Sequence, residues 1–378
     1  MALVFSLLTF IILLGVVVVV HELGHLVIAR LNGVFCEVFS FGFGTTLFSR
    51  KDSKGTEWRI SLYPLGGYVR MFGDSDASSV KEVIPAGYTE EDMERMSAHR
   101  KKPWQRLLIA AGGPFANFIF SILVLFTLST INGMPEYDNT ITVTSESSLA
   151  YMSGLRTGDA ITKANDTPVK DFEELVTQVK KSVGKKLALE LKRGETTQTI
   201  DINMFKEIDG KTEAIPVLGI SPNGFSYKAV SVWESARSAV ASTYFIASEN
   251  IKAMFKIATN KMSTKNVGGI VSIFKVSSAS AEAGFVNFIM MVAMISTVLG
   301  AINLLPIPVL DGGGILISAI EWIIGRPLNK RFVSAIFSVG LFAVVALMLL
   351  GLWNDLSGFK FFGSIKDSLE SWLGHFFK

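Results

Sequence analysis

The chain has little of what stabilises small secreted domains or binds nucleic acid. Its 378 residues contain one cysteine, Cys36, which excludes an internal disulfide and favours a role as a small apolar filler. The formal net charge of +3 is too small to predict a nucleic-acid partner. We find no nucleotide-binding loop, no serine-type catalytic triad and no repeat other than apolar segments. The sequence therefore points away from disulfide-rich and nucleic-acid-binding proteins.

Charge is missing from the start of the chain, since no charged side chain occurs between Met1 and Val20. Hydrophobic residues make up 49% of the whole chain and its mean hydropathy is +0.41, which together exceed what an ordinary soluble domain has. A helix needs about 20 apolar residues to cross a hydrocarbon core of about 30 Å. Four segments reach this length, at residues 3–31, 104–131, 285–305 and 332–353. The sequence thus predicts a polytopic α-helical membrane protein with about four transmembrane helices in a lipid bilayer.

The motif His21-Glu22-Leu23-Gly24-His25 lies near the end of the first apolar segment. On a helix, this spacing places His21 and His25 on one face, where both can bind one metal ion, by default zinc. Glu22 is then placed to act as a general base toward water. The motif also occurs by coincidence in soluble helices, but three ionisable groups in an apolar helix are costly unless paired or liganded. Because the segment carries this motif and has no basic leader, we do not expect its cleavage as a signal peptide.

A catalytic zinc site usually has three protein ligands, so a third residue is needed. His99 lies in a basic polar stretch and is expected to be solvated, whereas His375 lies among aromatic residues near the C-terminus and is expected at the membrane interface. Asp311 is the better candidate, because it is an acid at the edge of an apolar segment among prolines and glycines. Its sequence context also suits a helix cap or a turn, which stays open as the alternative.

These residues together resemble those of the site-2 proteases, which are intramembrane zinc metalloproteases, and within them the bacterial RseP type. The resemblance spans nearly the whole chain. Besides the H-E-x-x-H motif, it rests on a PDZ-like segment, on Gly-Pro-Phe-Ala-Asn-Phe at residues 113–118 and on residues 303–313. It implies that Asp311 is the third zinc ligand and that Glu22 is the catalytic base. It further implies that Asn117 and Asn303 lie near the site and help to hold substrate.

The second apolar segment contains two glycines and Pro114. The proline removes a backbone donor and is expected to kink or interrupt the helix, whereas the glycines permit close approach of another helix. Asn117 would then be a buried amide that needs a partner. Hydrogen bonding between helices is therefore an alternative to a substrate role for Asn117.

Residues 32–75 lack a helical pattern. Their phenylalanines are interrupted by Gly42 and Gly44, a polar turn follows at residues 51–55, and residues 57–63 alternate as a strand does. This pattern predicts a membrane-associated β-sheet, with a soluble hairpin as the alternative. We hypothesise that a free edge of the sheet pairs with unwound substrate, whose backbone would otherwise lose its hydrogen bonds.

The middle of the chain has the composition of a soluble domain. Residues 135–222 look like one PDZ domain of mainly β structure, with a helix near residues 171–183. The following segment is predicted to contain an amphipathic helix on the membrane surface, with packing as an ordinary soluble helix as the alternative. An amphipathic C-terminal tail is also expected.

Basic residues near the ends of the apolar segments predict the orientation. They are expected to mark the cytoplasmic side: Arg30, Arg50, Lys51, Arg59, Arg100, Lys101, Lys102, Arg326, Lys330 and Arg331. The PDZ-like domain would then face the periplasm from a bacterial inner membrane. The predicted order is helix 1 (1–31), sheet (32–75), cytoplasmic loop (76–103), helix 2 (104–131), PDZ domain (135–222), amphipathic helix and loop (223–283), helix 3 (284–305), loop and cytoplasmic segment (306–331), helix 4 (332–353) and tail (354–378).

The predicted function is an intramembrane zinc metalloprotease that cuts transmembrane segments. The resemblance implies single-span substrates such as anti-sigma factors, or remnant signal peptides. A non-catalytic scaffold that binds peptides through its PDZ domain is one alternative, and it would work without Glu22. A metal transporter is the second alternative, and it would move ions while cleaving no peptide.

Overall fold

The computed structural model describes residues 2–74, 84, 87–208, 211–215, 217–259 and 268–357. The predicted C-terminal tail from residue 358 onward, with His375, lies outside these residues. The described residues form these elements: α1 (Ala2–Leu31), β1 (Cys36–Lys51), β2 (Glu57–Met71), α2 (Glu90–Met96), α3 (Pro103–Asn132), β3 (Met134–Tyr137), β4 (Ile141–Val143), α4 (Leu149–Met152), β5 (Ala160–Ala164), β6 (Thr167–Pro168), α5 (Phe172–Lys181), β7 (Lys186–Arg193), β8 (Thr196–Asn203), β9 (Phe205–Ile208), β10 (Lys211–Ala214), β11 (Ile220–Pro222), β12 (Phe225–Lys228), α6 (Val232–Ala258), α7 (Ile270–Glu282), α8 (Phe285–Asn303), α9 (Asp311–Ile324) and α10 (Lys330–Ser357).

Four of these helices are long and apolar enough to cross a membrane, which is the expected number. They contain the spans Leu3–Leu31, Pro103–Asn132, Phe285–Asn303 and Val333–Asp355. Many of their apolar side chains are exposed, and a few, such as Leu3 and Phe342, are at least three-quarters exposed. Such exposure is unfavourable in water but suits contact with lipid chains.

The chain divides into two compact units, one formed by Met1–Leu128 with Ala236–Lys378 and the other by Ser129–Ser235. In the first unit, α1 and α3 approach each other at two glycines. A Cβ added to Gly24 would lie 2.2 Å from the carbonyl oxygen of Gly112, and one added to Gly112 would lie 2.7 Å from that of Gly24. Only glycine at both positions permits this approach, which brings the histidine motif against α3.

The expected interruption at Pro114 is not observed, because α3 runs through this residue as one helix. Proline cannot donate to the carbonyl four residues earlier, but it still fits helical backbone angles when neighbouring helices support the segment. Buried packing around Pro114, Asn117 and Ser121 supplies that support.

The strands β1 and β2 bend and pair with each other along three stretches. Residues 36–41 pair with residues 67–71 on one side and with residues 57–60 on the other, and residues 57–61 also pair with residues 46–51. The result is a ladder of four segments in the order 46–51, 57–61, 36–41 and 67–71, in which the register of the two inner segments is parallel and each outer segment is antiparallel to its neighbour. Among the described residues, segment 67–71 is therefore an edge that pairs on one side only.

The base of this sheet packs on α1 and α3 through a buried apolar cluster that includes Leu26, Val69 and Ile109. Cys36 belongs to the same cluster and is 1% exposed, in keeping with an apolar filler. Burial raises the pKa of the Cys36 thiol to about 12, so that it stays protonated at neutral pH.

The second unit has its own apolar core and a four-stranded sheet in the order β6-β5-β7-β8. Helix α5 covers this core with Leu175 and Val179 and is capped by Asp171, whose side chain accepts from the backbone of Glu174. Inside the unit, Asp159 is 1% exposed and pairs with Arg193. Helix α5 lies where the sequence predicted a helix, while the PDZ assignment stays a prediction.

Candidate metal and active site

The two motif histidines lie on one face of α1, one turn apart. Their Nε2 atoms are 3.3 Å from each other and point to a common centre. On its other side, the His25 ring donates its Nδ1–H to the carbonyl oxygen of Ile109 in α3, at 2.8 Å. A carbonyl oxygen only accepts, so this bond leaves the lone pair of His25 Nε2 directed at the centre.

Asp311 completes the centre from a distant part of the chain. Its Oδ2 lies 3.0 Å from His21 Nε2, and its Oδ1 lies 3.3 Å from His25 Nε2. The three side chains offer ligand atoms that are all within 4.8 Å of one another. The residue predicted as third ligand therefore meets the two histidines.

A tight turn before α9 positions Asp311. A Cβ added to Gly312 would lie 2.1 Å from the carbonyl oxygen of Leu305, and one added to Gly313 would lie 2.4 Å from the Cα of Pro308. The capping position is Leu310, so that Asp311 is the first helical residue. The alternative of a capping aspartate therefore does not describe this side chain, which points to the histidines.

The donor set fits zinc. Two imidazole nitrogens and one carboxylate are a usual ligand set for a catalytic zinc ion, which keeps a further position open. Asp311 Oδ2 is buried and accepts no hydrogen bond within the described residues. Gly113 leaves space beside the ligands, because a Cβ there would lie 2.4 Å from His25 Nε2 and 2.7 Å from His21 Nε2.

Glu22 lines the same cavity as the three ligands. The cavity has a volume of about 780 Å³ and is also lined by Asn303 and by residues 67–69 of β2. A Cβ added to Gly67 would lie 3.5 Å from Glu22 Cγ, so the edge segment passes directly beside this glutamate. The expected base and the expected substrate-pairing strand are thus neighbours.

The two predicted asparagines both lie next to His21, on opposite sides of its ring. Asn303 ends α8, lines the cavity and has its Nδ2 atom 3.3 Å from His21 Nε2. Asn117 is fully buried in α3 and has its Nδ2 atom 3.3 Å from His21 Nδ1. The six residues singled out from the sequence are therefore together in space.

The side chain of His99 is 24% exposed, so it is only partly solvated, and it has a partner that the sequence did not predict. Its Nε2 atom lies 3.0 Å from Oδ1 of Asp74, whose side chain is 1% exposed, and both residues line the cavity. Asp74 in turn accepts from the backbone N–H of Met71 and so ends the edge segment of β2. The basic neighbours of His99 in sequence hid this partner, which comes from another part of the fold.

A second pair at the cavity was also missed. Arg106 of α3 donates to Glu321 of α9, whose side chain is 6% exposed. The other carboxylate oxygen of Glu321 accepts from the backbone of Leu328. Two charges within otherwise apolar segments were the available signal, because such charges are costly without a partner.

Comparison with known proteins agrees with this geometry. The chain matches Peptidase family M50 over residues 9–347. It is 31% identical to a protein of Agrobacterium fabrum named as a predicted zinc metalloprotease, with 92% of this chain and 94% of the relative covered. It is 30% identical to metalloprotease MmpA of Caulobacter vibrioides (93% and 96% covered) and 28% identical to the regulator of sigma-E protease RseP of Salmonella typhimurium (94% and 99% covered). The chain therefore belongs to peptidase family M50, the site-2 proteases, and is a zinc metalloprotease.

Proposed function

We propose that this zinc metalloprotease hydrolyses peptide bonds within transmembrane segments of single-span membrane proteins. The observation that carries the proposal is the position of the ligands. His21 and His25 belong to an apolar span, and their Nε2 atoms converge with Asp311 at the wall of a cavity of about 780 Å³. A cavity of this size can admit water and an unwound peptide to a site within the membrane.

Four side chains carry out the proposed reaction, three as zinc ligands and one as the general base. His21, His25 and Asp311 hold the zinc ion. When bound there, zinc lowers the pKa of water and polarises a carbonyl group. Glu22 accepts the proton of the attacking water and passes it to the leaving nitrogen. Its carboxylate can do this because Glu22 directly follows His21 in the chain and lies beside the ligands.

The substrate backbone has a partner in the edge segment 67–71 of β2. A transmembrane substrate must unwind before it can be cut, and its peptide groups then need new hydrogen bonds. Residues 67–69 line the cavity beside Glu22, and the segment pairs with β1 on one side only among the described residues. Addition of substrate as a further strand would restore the lost bonds. Asn303, at the cavity wall, holds the substrate beside the centre.

The substrate class and the orientation are also proposals. One relative is named as a regulator of sigma-E, which supports anti-sigma-factor-like substrates, with remnant signal peptides as a second class. The distribution of basic residues supports a bacterial inner membrane with residues 135–222 on the periplasmic side. A PDZ-like domain there would exclude substrates with bulky outer domains, so that a first cut by another protease precedes this one.

The test uses purified protein in detergent with a labelled single-span peptide. Zinc content and cleavage are measured for the wild type, for Glu22→Gln and for Asp311→Asn. Glu22→Gln should keep its zinc and lose cleavage by more than about 100-fold, because the proton acceptor is removed. Asp311→Asn should lose zinc affinity as well. Full cleavage by Glu22→Gln would favour a scaffold, and metal flux in liposomes without cleavage would favour a transporter.

A further inference from the structure

The two zinc-site histidines differ in what lies behind them. His25 donates its Nδ1–H to a backbone carbonyl, at 2.8 Å from Ile109 O, so its Nε2 is free to bind metal. Behind His21, the amide nitrogen of Asn117 faces Nδ1 at 3.3 Å. A nitrogen donor in this position would require the lone pair of His21 on Nδ1 and its proton on Nε2, which is the atom nearest Asp311.

That arrangement cannot coexist with zinc on His21 Nε2. A neutral imidazole that binds metal through Nε2 carries its proton on Nδ1, and this N–H needs an acceptor. The acceptor is already at hand, because Asn117 Oδ1 is buried and has no hydrogen-bond partner within the described residues. The oxygen and nitrogen of a side-chain amide occupy nearly the same space, and half a turn exchanges them.

We propose that Asn117 turns its side-chain carbonyl toward His21 and accepts the Nδ1–H, which holds the ring with Nε2 toward the zinc ion. Asn117 is then a positioning residue for a metal ligand instead of a substrate contact. The proposal rests on the proposed ligand role of His21. It gives His21 the same kind of support that the Ile109 carbonyl gives His25.

The surroundings of Asn117 fit a fixed support better than a substrate contact. The residue is fully buried and lies on the Nδ1 side of His21, away from Asp311. Its backbone carbonyl accepts from Ser121 Oγ at 2.9 Å and from Ser296 Oγ at 3.2 Å, which ties it to both α3 and α8. A Cβ added to Gly300 would lie 3.3 Å from Asn117 Cβ, so α8 also packs closely against it.

The proposal makes opposite predictions for two substitutions of nearly the same size. Asn117→Asp keeps an oxygen acceptor for the Nδ1–H, whereas Asn117→Leu keeps the volume and removes the acceptor. Loss of such a partner typically lowers metal affinity by about 10- to 100-fold. Asn287→Leu is the matched control, because it removes an asparagine from α8 whose side chain donates to the backbone carbonyl of Ala283 and is not part of the cavity lining.

The experiment measures zinc affinity by competition with a chelator, and the visible absorption of the cobalt-substituted protein, for full-length variants in detergent. We expect Asn117→Leu to bind zinc about 10- to 100-fold more weakly than the wild type, because the acceptor for the His21 Nδ1–H is removed. The same substitution should alter the cobalt spectrum. Asn117→Asp should stay within a few-fold of wild type. Circular dichroism checks that the variants are folded, and the Asn287→Leu control should match the wild type in both readouts.

Two outcomes would overturn the inference, and others would contradict the proposed function on which it rests. Unchanged zinc affinity and cobalt spectrum in Asn117→Leu, with a raised KM for the peptide, would return Asn117 to a substrate role. Equal loss in Asn117→Asp and Asn117→Leu would show that shape, and not the acceptor, matters at this position. Failure of the wild type to bind zinc, or full affinity in His21→Ala, would instead contradict the proposed function itself.

Discussion

Two groups of polar side chains at the cavity are arranged in different ways. In the first group, here called the metal end, three ligand side chains converge, and Asp311 Oδ2 is buried without a hydrogen bond among the described residues. In the second group, here called the paired end, Arg106 pairs with Glu321, and His99 pairs with Asp74. The first group shares one centre, whereas the second group is matched in pairs.

This difference separates a site that binds something from a site that holds the fold together. Buried polar groups are normally satisfied within the protein, and an unsatisfied one costs about 1–3 kcal/mol. Ligand atoms that converge on one point in this way are stabilised when a cation completes the set. At the paired end no set of ligand atoms converges: Arg106 Nε is also buried without a partner among the described residues, but the Arg106–Glu321 pair joins α3 to α9, the helix that starts with Asp311.

The largest expected effect comes from filling the space at the metal end. Gly113→Ala would place a Cβ 2.4 Å from His25 Nε2, which is closer than real contacts allow. We expect the histidine rings to be displaced and cleavage to fall by more than about 100-fold, since a shift of about 1 Å already costs this much. Zinc content and peptide cleavage in detergent are the measurements.

Gly314→Ala is the matched control for this substitution. A Cβ there would lie 3.5 Å from Ala110 Cβ, which is ordinary contact, and alanine favours the helix by about 1 kcal/mol over glycine. This variant should keep its zinc and most of its cleavage. Equal activity in both variants would mean that the space beside the histidines is not needed.

The sequence was most informative at the metal end. The spacing of His21 and His25 and the apolar run before them indicate a ligand pair, because only a helix gives that spacing a chemical meaning. The ligand role of Asp311 was harder to predict, since prolines and glycines around an acidic residue suit a helix cap equally well. The resemblance to site-2 proteases, and not the local pattern, favoured the ligand role, and the turn geometry agrees with it.

The paired end could not be predicted in the same way. Arg106 and Glu321 are 215 residues apart in sequence, and no local pattern joins them. The pairing of the four sheet segments could not be predicted either, although a sheet was expected in this part of the chain. Its folding back depends on backbone angles at glycines, with φ of +88° at Gly42, +85° at Gly44 and +139° at Gly66. Residue type alone does not give these angles.

The next largest effect is expected at the paired end and should fall on stability. Glu321→Gln leaves the Arg106 charge without its partner, which for buried pairs costs about 3 kcal/mol. We expect a lower unfolding temperature and a smaller loss of cleavage than in Gly113→Ala. The double variant Arg106→Leu with Glu321→Leu removes both charges and should recover most of the stability. No recovery in the double variant would contradict the assignment of this pair to structure.

The smallest effect concerns an ion pair outside the cavity, in the turn between β1 and β2. Asp52 accepts from the side chains of Arg30 and Trp58 and from the backbone of Lys54 and Thr56. Burial acts to raise the pKa of Asp52, but these hydrogen bonds outweigh it and hold the pKa well below its usual range.

A carboxylate whose pKa is lowered in the folded state stabilises the fold at pH values above its pKa in the unfolded chain, which is about 4. This stabilisation is lost as the pH falls below that value. Between pH 7 and pH 3, the free energy of unfolding of the wild type should therefore fall by about 1 kcal/mol more than that of Asp52→Asn, since hydrogen bonds of this kind usually contribute about this much. Thermal unfolding at the two pH values is the measurement. Zinc affinity at pH 7 should be equal in both proteins, because Asp52 does not line the cavity that contains the ligands. A change in zinc affinity would show that this turn is coupled to the metal end, and the contrast between binding and structural polar groups would then extend beyond the cavity.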